Sequence, residues 1–394
     1  GSSSRAYGVN ADGSVVVGSG DSSDGTRAFR WVAGAGMENL GTLTGGSSSR
    51  AYGVNADGSV VVGVSGSSAG DRAFIWRGVM EDFENLITSF PVLGNDSAVA
   101  LAEQQFALGQ VMGQSGLAAA GQSILSARAG VQHTGRNPTS VGARTTSLGA
   151  LSFGRGISDN LTLGASISVN ATSLQNNAFD MDTGFGAALW GQYSEGGLAR
   201  TGLQFGAALG YMRSRGEVAR GRLLTDVALA TGSATVETRA VQATIGYGFA
   251  QEGWLVTPSL GVAHYDTTRA AYTETGAAFN ASYDALRTSR TVATLGVTGE
   301  VALGEQGRLS LGVGVDHEVK SERPRLTGTS DIPGLATFDI GSTASPNRTR
   351  AFATVGYTHD LGNGSSISGN VRVGQAVYGS TLSVGLGLSY SMRF

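Results

Sequence analysis

The chain has 394 residues, with 62 Gly, 6 Pro, no Cys and 14% charged side chains. A net charge of −3 offers no basic surface for nucleic acid, and the lack of cysteine removes disulfides and thiolate metal sites. No run of about 18 apolar residues is present, which argues against a helical membrane span, and high Gly with low Pro is unlike disorder.

The chain opens on a duplication. Gly1–Gly18 (GSSSRAYGVNADGSVVVG) returns unchanged as Gly46–Gly63. Arg27-Ala28-Phe29-Arg30-Trp31 returns as Arg72-Ala73-Phe74-Ile75-Trp76, and Glu38-Asn39-Leu40 returns one residue late as Glu84-Asn85-Leu86. Asp12-Gly13 and Asp57-Gly58 stand between short apolar runs, a strong hairpin signal. Residues 1–90 therefore read as two units of about four short strands each, either propeller blades or β-solenoid rungs. Two units are too few to bury a continuous core, so they read as the end of a longer array. Because Gly1 falls inside a unit, the natural N-terminus and its secretion signal are expected upstream. The Ala-Phe-x-Trp, Asn-Leu-Gly and Ala-Asp-Gly-Ser-Val-Val-Val-Gly elements resemble the HAF-type extracellular repeats of bacterial surface proteins.

Residues 91–122 form the joint. Asn95-Asp96-Ser97 offers N-cap candidates before a segment rich in Ala, Gln and Gly that runs to about Gly121. A helix of about 22 residues there would be about 33 Å long, the height of a membrane span. It is too polar and too slim to face lipid, so it is expected inside a barrel lumen, with a surface linker helix as the alternative.

From residue 123 to 394 the pattern has period two. Leu161, Leu163, Ala165, Ile167 and Val169 alternate with small polar residues; Leu203 to Tyr211, Leu309 to Val315 and Leu382 to Phe394 do the same. Short joints at 157–160, 195–198, 250–253, 304–307 and 361–365 alternate with longer ones at 173–181, 214–234, 268–286 and 321–346. That alternation is expected of a bacterial outer-membrane barrel with short periplasmic turns and long extracellular loops. Eleven clear strands need one more rising strand, and Ser123–His133 is the room for it. The fold class expected is thus all-β, a twelve-stranded antiparallel transmembrane β-barrel with an α-helix in its lumen. Aromatics including Trp190, Tyr211, Tyr247, Tyr265, Tyr357, Tyr378 and Tyr390 fall near strand ends, where girdles sit. Arg155, Glu300, Arg308, Asp316, Asn370 and Arg372 are the candidate lumen-facing residues, since a lipid-facing Arg at mid-membrane costs about 2–4 kcal/mol.

A repeat-built N-terminal region, an inward helix and a barrel ending Tyr390-Ser391-Met392-Arg393-Phe394 resemble a classical monomeric autotransporter. The resemblance implies type V secretion: the barrel inserts in the outer membrane of a Gram-negative bacterium and displays its own passenger outside, an adhesin or another surface-interaction module. It implies Tyr390, Met392 and Phe394 as the C-terminal assembly signal. It also implies as partners outer-membrane lipid and lipopolysaccharide, the barrel assembly machinery and periplasmic chaperones, with no oligomer. An exported enzyme with its catalytic part elsewhere is the alternative, then a diffusion porin. Gly18-Ser19-Gly20 and Gly66-Ser67-Ser68 lack the context of a nucleophile elbow. His133, His264, His317 and His359 are dispersed, so no metal site or cofactor is expected. Neither Asn95-Asp96 nor Asn176-Asn177 matches the cleavage motif of self-cleaving enterobacterial proteases, and no catalytic residue is assigned.

Overall fold

The structure, a computed structural model, describes residues 2–136, 142–175 and 177–394. Asn176 lies outside them.

The first repeat is a four-stranded antiparallel meander of β1 (Ser4–Val9), β2 (Val15–Ser22), β3 (Gly25–Val32) and β4 (Gly36–Asn39). The second repeats it with β5 (Ser49–Val54), β6 (Val61–Ser67), β7 (Gly70–Trp76) and β8 (Met80–Asp82). The Asp12 carboxylate accepts the Ser14 N–H at 2.9 Å and its hydroxyl at 2.6 Å, and Asp57 does the same for Ser59, which fixes both hairpins. The two sheets pack face to face through Val15, Val17 and Ala28 against Ala51, Val61 and Phe74. Each sheet draws its strands from one unit only, as a blade does, whereas rungs would pair strands between units.

A single helix, α1 (Phe83–Met112), follows at once, with Asp82 as N-cap accepting the Asn85 N–H at 3.0 Å. It starts at Phe83, within the span read as repeat, rather than at Asn95, and it stops at Met112 rather than near Gly121. Pro91 and Gly94 are local breakers, and Pro91 removes one backbone donor from the helix. Tertiary burial outweighs them, since Leu86, Phe90 and Leu93 are all buried among the loops. The 30 residues give a helix about 45 Å long.

The barrel strands then follow: β9 (Ser123–Thr134), β10 (Arg144–Gly156), β11 (Leu161–Leu174), β12 (Phe179–Ser194), β13 (Gly202–Arg220), β14 (Ala230–Gln251) and β15 (Trp254–Arg269). Two short loop strands, β16 (Tyr272–Thr273) and β17 (Ala281–Tyr283), precede β18 (Leu286–Leu303) and β19 (Gly307–Ser321). Two more, β20 (Arg325–Ser330) and β21 (Thr337–Gly341), precede β22 (Thr349–Gly362), β23 (Ser365–Gln375) and β24 (Leu382–Arg393). The twelve long strands pair antiparallel into a closed barrel in which β24 meets β9, with Leu386 opposite Val131. Closure satisfies the backbone groups and removes sheet edges. Ser123 and Phe394 exchange backbone hydrogen bonds of 2.8 and 3.0 Å at the end of this seam.

Alternate residues face outward. On β14 the exposed outer face runs Val241, Ala243, Ile245, Tyr247, Phe249, with Arg239 and Glu237 beyond it toward the loops. Nine tilted residues cover about 23 Å, close to the apolar belt of an outer-membrane barrel. Arg213 on β13 and His264 on β15 sit near the same edge. Segment 214–234, read as loop, is mostly strand that projects past the belt. The loops at 268–286 and 321–346 carry β16, β17, β20 and β21, which form their own four-stranded sheet over the barrel end. Two aromatics placed in the girdle are inside instead. Trp190 donates from Nε1 to Ser152 and Ser166 at 3.1 Å, and Tyr265 meets α1. Tyr378 is likewise buried in the loop layer.

Candidate functional site

The lumen is the site, and α1 occupies it. The helix leans on the wall formed by β10–β15. Two glycines permit the approach: a Cβ on Gly210 would lie 2.8 Å from Leu108 and Met112 of α1, and one on Gly109 would lie 2.8 Å from the Tyr265 hydroxyl. On the opposite side a cavity of about 300 Å³ remains, lined by Gln105, Arg290, Asp316, Arg350 and Arg372.

Helix and wall meet in their lower half through polar side chains as well as apolar ones. Glu103 accepts from Arg144 Nε, and from the Thr146 hydroxyl at 3.1 Å. Gln104 donates to the Met212 and Val236 carbonyls at 3.2 Å each, and accepts from Ser214 at 2.8 Å. Gln105 donates to Thr267 at 3.0 Å and accepts from Arg290 at 3.4 Å; Gln110 accepts from Arg128 at 3.2 Å. Lumen-facing wall groups and helix groups thus satisfy one another beside a small apolar core of Leu108, Val111 and Met112 against Trp190 and Met212.

Five of the six candidate lumen residues lie on the inner face. Glu300 pairs with Arg200 and, at 3.8 Å, with Arg308 near the short-turn end. Asp316 lies 3.5 Å from Arg372, whose guanidinium stacks 3.7 Å from the Phe352 ring centroid. Asn370 lines the space beside Phe106 and Gln110. Arg155, expected in the lumen, is on the outer face instead. It shares the outward face of Leu151 and Phe153, beyond the belt at the turn end, where it donates to Ser123 at 3.0 Å. Near an interface an outward arginine costs only about 0–1 kcal/mol. Among the described residues, none of the six hydrogen-bonds α1. Arg128, Arg144 and Arg290 do so, and their inner-face parity was the signal that could have named them.

The chain leaves α1 at the turn end and crosses the mouth before entering β9. Arg393 Nε donates to the Leu117 carbonyl at 2.9 Å, Ala118 N–H to the Thr162 hydroxyl at 2.9 Å, and Ala120 N–H to Asp159 at 3.0 Å. Tyr390, Met392 and Phe394 continue the outer-face parity of Leu386 and Leu388. His133, His264 and His317 each bond a threonine hydroxyl of the neighbouring strand through Nδ1, at 2.8–2.9 Å. Among the described residues no group of His and acidic side chains could hold a metal ion.

At the loop end a second layer grips the helix. Arg220 and Glu274, both fully buried, pair at 2.9 Å, and Arg220 also donates to Ser89 of α1 at 3.0 Å. Asp96, above the belt, accepts the Ala178 N–H at 2.6 Å, and burial pushes its carboxyl up to about 6 from 3.8. The folded protein therefore binds this proton more tightly than the unfolded chain. The contribution to stability is greatest below about pH 4 and is lost as pH rises toward 6, by about 3 kcal/mol. Asp96→Asn keeps an acceptor for Ala178, so it should raise the unfolding temperature at pH 7 and flatten the pH 4–6 slope. An unchanged slope in thermal unfolding across that range would remove this role from Asp96.

Residues 125–372 match the family described as the autotransporter β-domain. The translocator domain of the autotransporter NalP from Neisseria meningitidis is similar in structure at 16% identity and a TM-score of 0.62, over 77% of this chain and 99% of that one. The β-domain of the Bordetella autotransporter Brka is similar at 14% identity and a TM-score of 0.50, over 70% of this chain and 100% of that one. At such identities these likenesses show the fold alone. A search of the curated proteins found no match.

Proposed function

The chain belongs to the autotransporter β-domain family, and from that premise we propose that its barrel secretes its own N-terminal region and holds the repeats at the cell surface. The translocator barrel resides in the outer membrane of a Gram-negative bacterium. One observation carries the finer reading: the chain runs once through its own lumen, from the loop end at Phe83 to the turn end at Met112, before β9 begins. With short turns periplasmic and long loops outside, the repeats lie on the outer side.

The passenger is a surface-interaction module of the adhesin kind, supported by its exposed aromatic pair Tyr7 and Tyr52, whose ring centroids are 5.5 Å apart. The reading includes no catalysis, metal or cofactor. Lipid and lipopolysaccharide surround the apolar belt of a monomeric barrel. Tyr390, Met392 and Phe394, on the lipid-facing side of the closing strand, are assigned to the barrel assembly machinery, after periplasmic chaperones have delivered the unfolded chain.

The lack of native cysteine makes the test direct. Ser2→Cys, at an exposed position, should react with a membrane-impermeant maleimide in intact cells as fully as in lysed ones. Labelling that appears only after the outer membrane is permeabilised would place the repeats inside and end the proposal.

A further inference from the structure

The two repeats do not meet the same neighbour, and their sequences differ where the neighbours differ. In the first unit, Val15 packs on the second unit, and Arg30 Nε donates to the Gly58 carbonyl at 2.9 Å with its guanidinium 5.5 Å from the Trp76 ring centroid. The corresponding residues of the second unit are Val60 and Ile75. Both are buried, in a cluster with Leu86 and Phe90 of α1 and with Phe279, Ile332 and Phe338 of the loops. The same face that one blade presents to the next is, in the last blade, presented to the barrel's loop layer. Arg30 has become Ile75, as an apolar neighbour demands, and Val32 has become Arg77.

Polar contacts follow the same face. Asp226 accepts from the Thr44 N–H at 3.0 Å and its hydroxyl at 2.6 Å, while its own carbonyl accepts the Asp82 N–H at 2.7 Å. Arg77 donates to Asp331 and to the Ala278 carbonyl at 3.1 and 3.2 Å, and lies 4.3 Å from the Phe279 ring centroid. Ala228 N–H donates to Glu81 at 3.1 Å. A four-stranded blade cannot bury its face alone, and an array of blades needs a terminal cap.

We propose that the loop layer, built from residues 221–229, β16, β17, β20 and β21, is that cap: the barrel's loops supply the neighbour that the last repeat's apolar face needs. This rests on the reading of the repeats as a displayed passenger. The ligand of this surface is thus a β-repeat unit of the same chain.

The test uses the full chain in intact cells, with Ile75→Arg, which restores the residue of the first unit, and separately Asp226→Ala. Chymotrypsin cleavage within the repeats is timed, since Ile75→Arg adds no site for it, and barrel folding is read from the heat-dependent shift in gel mobility. Met37→Ala, at an exposed site remote from the loops, is the control. Both variants should be cleaved at least about tenfold faster than the parent with the mobility shift retained, because cleavage of a transiently opened unit follows its opening equilibrium. Parental protection in both would overturn the cap. Should Ile75→Arg hinder barrel assembly, Asp226→Ala on the loop still decides. If chymotrypsin reaches the repeats of no form in intact cells, the display reading fails, and the same assay on detergent-purified protein decides the cap by itself.

Discussion

Replacing Glu103 with alanine should unseat the helix from the lumen. Glu103 and Arg144 leave only 7% and 2% of their side chains exposed, and Arg144 belongs to a wall strand that cannot follow the helix out. Truncating the acid leaves a buried guanidinium without its anion, a change that costs about 3–5 kcal/mol. The barrel's own hydrogen bonds are untouched, so the cost falls on helix seating. The population with the helix displaced should rise by about 10²–10⁴-fold. It would be seen as channel openings in a planar bilayer and as a lower temperature for the loss of protease protection of the helix. Glu103→Leu with Arg144→Met should recover most of the loss, since an apolar pair strands no charge. A single variant as mild as an exposed substitution would show that the pair does not hold the helix.

The parts of this architecture that period two controls were readable from the sequence. Ser123–His133 was expected as the missing first strand because sides must alternate, and β9 spans Ser123–Thr134. Lipid rewards every outward apolar residue, so the pattern along Val241 to Phe249 survives whatever lies inside. The start of α1 was hidden because Pro91 and Gly94 are local breakers, while the burial of Leu86, Phe90 and Leu93 comes from loops more than a hundred residues away. The loop sheet was hidden for a related reason: β16 and β17 are two- and three-residue strands whose pairing is set only once the barrel brings their loops together. Arg155 was misplaced because an arginine at the rim pays little for facing outward, and only its parity with Leu151 and Phe153 reveals the side. The pairing of Glu103 with Arg144 joins residues 41 apart on unlike elements, and no periodicity connects them.

In the proposed function, α1 and the barrel are cargo and conduit of one secretion step. A helix about 10 Å across, set against β10–β15 and held by Glu103, Gln104, Gln105 and Gln110, leaves a side cavity of about 300 Å³. Single-channel conductance of the full chain in a planar bilayer, set beside that of residues 113–394 with the folded-state mobility shift retained, tests this arrangement most directly. Removal of the helix should raise the conductance by about an order of magnitude and turn brief small events into stable openings, as expected when the lumen of a twelve-stranded barrel is cleared. Equal conductance from the two proteins would mean that α1 does not fill the pore, and the conduit would lose its cargo.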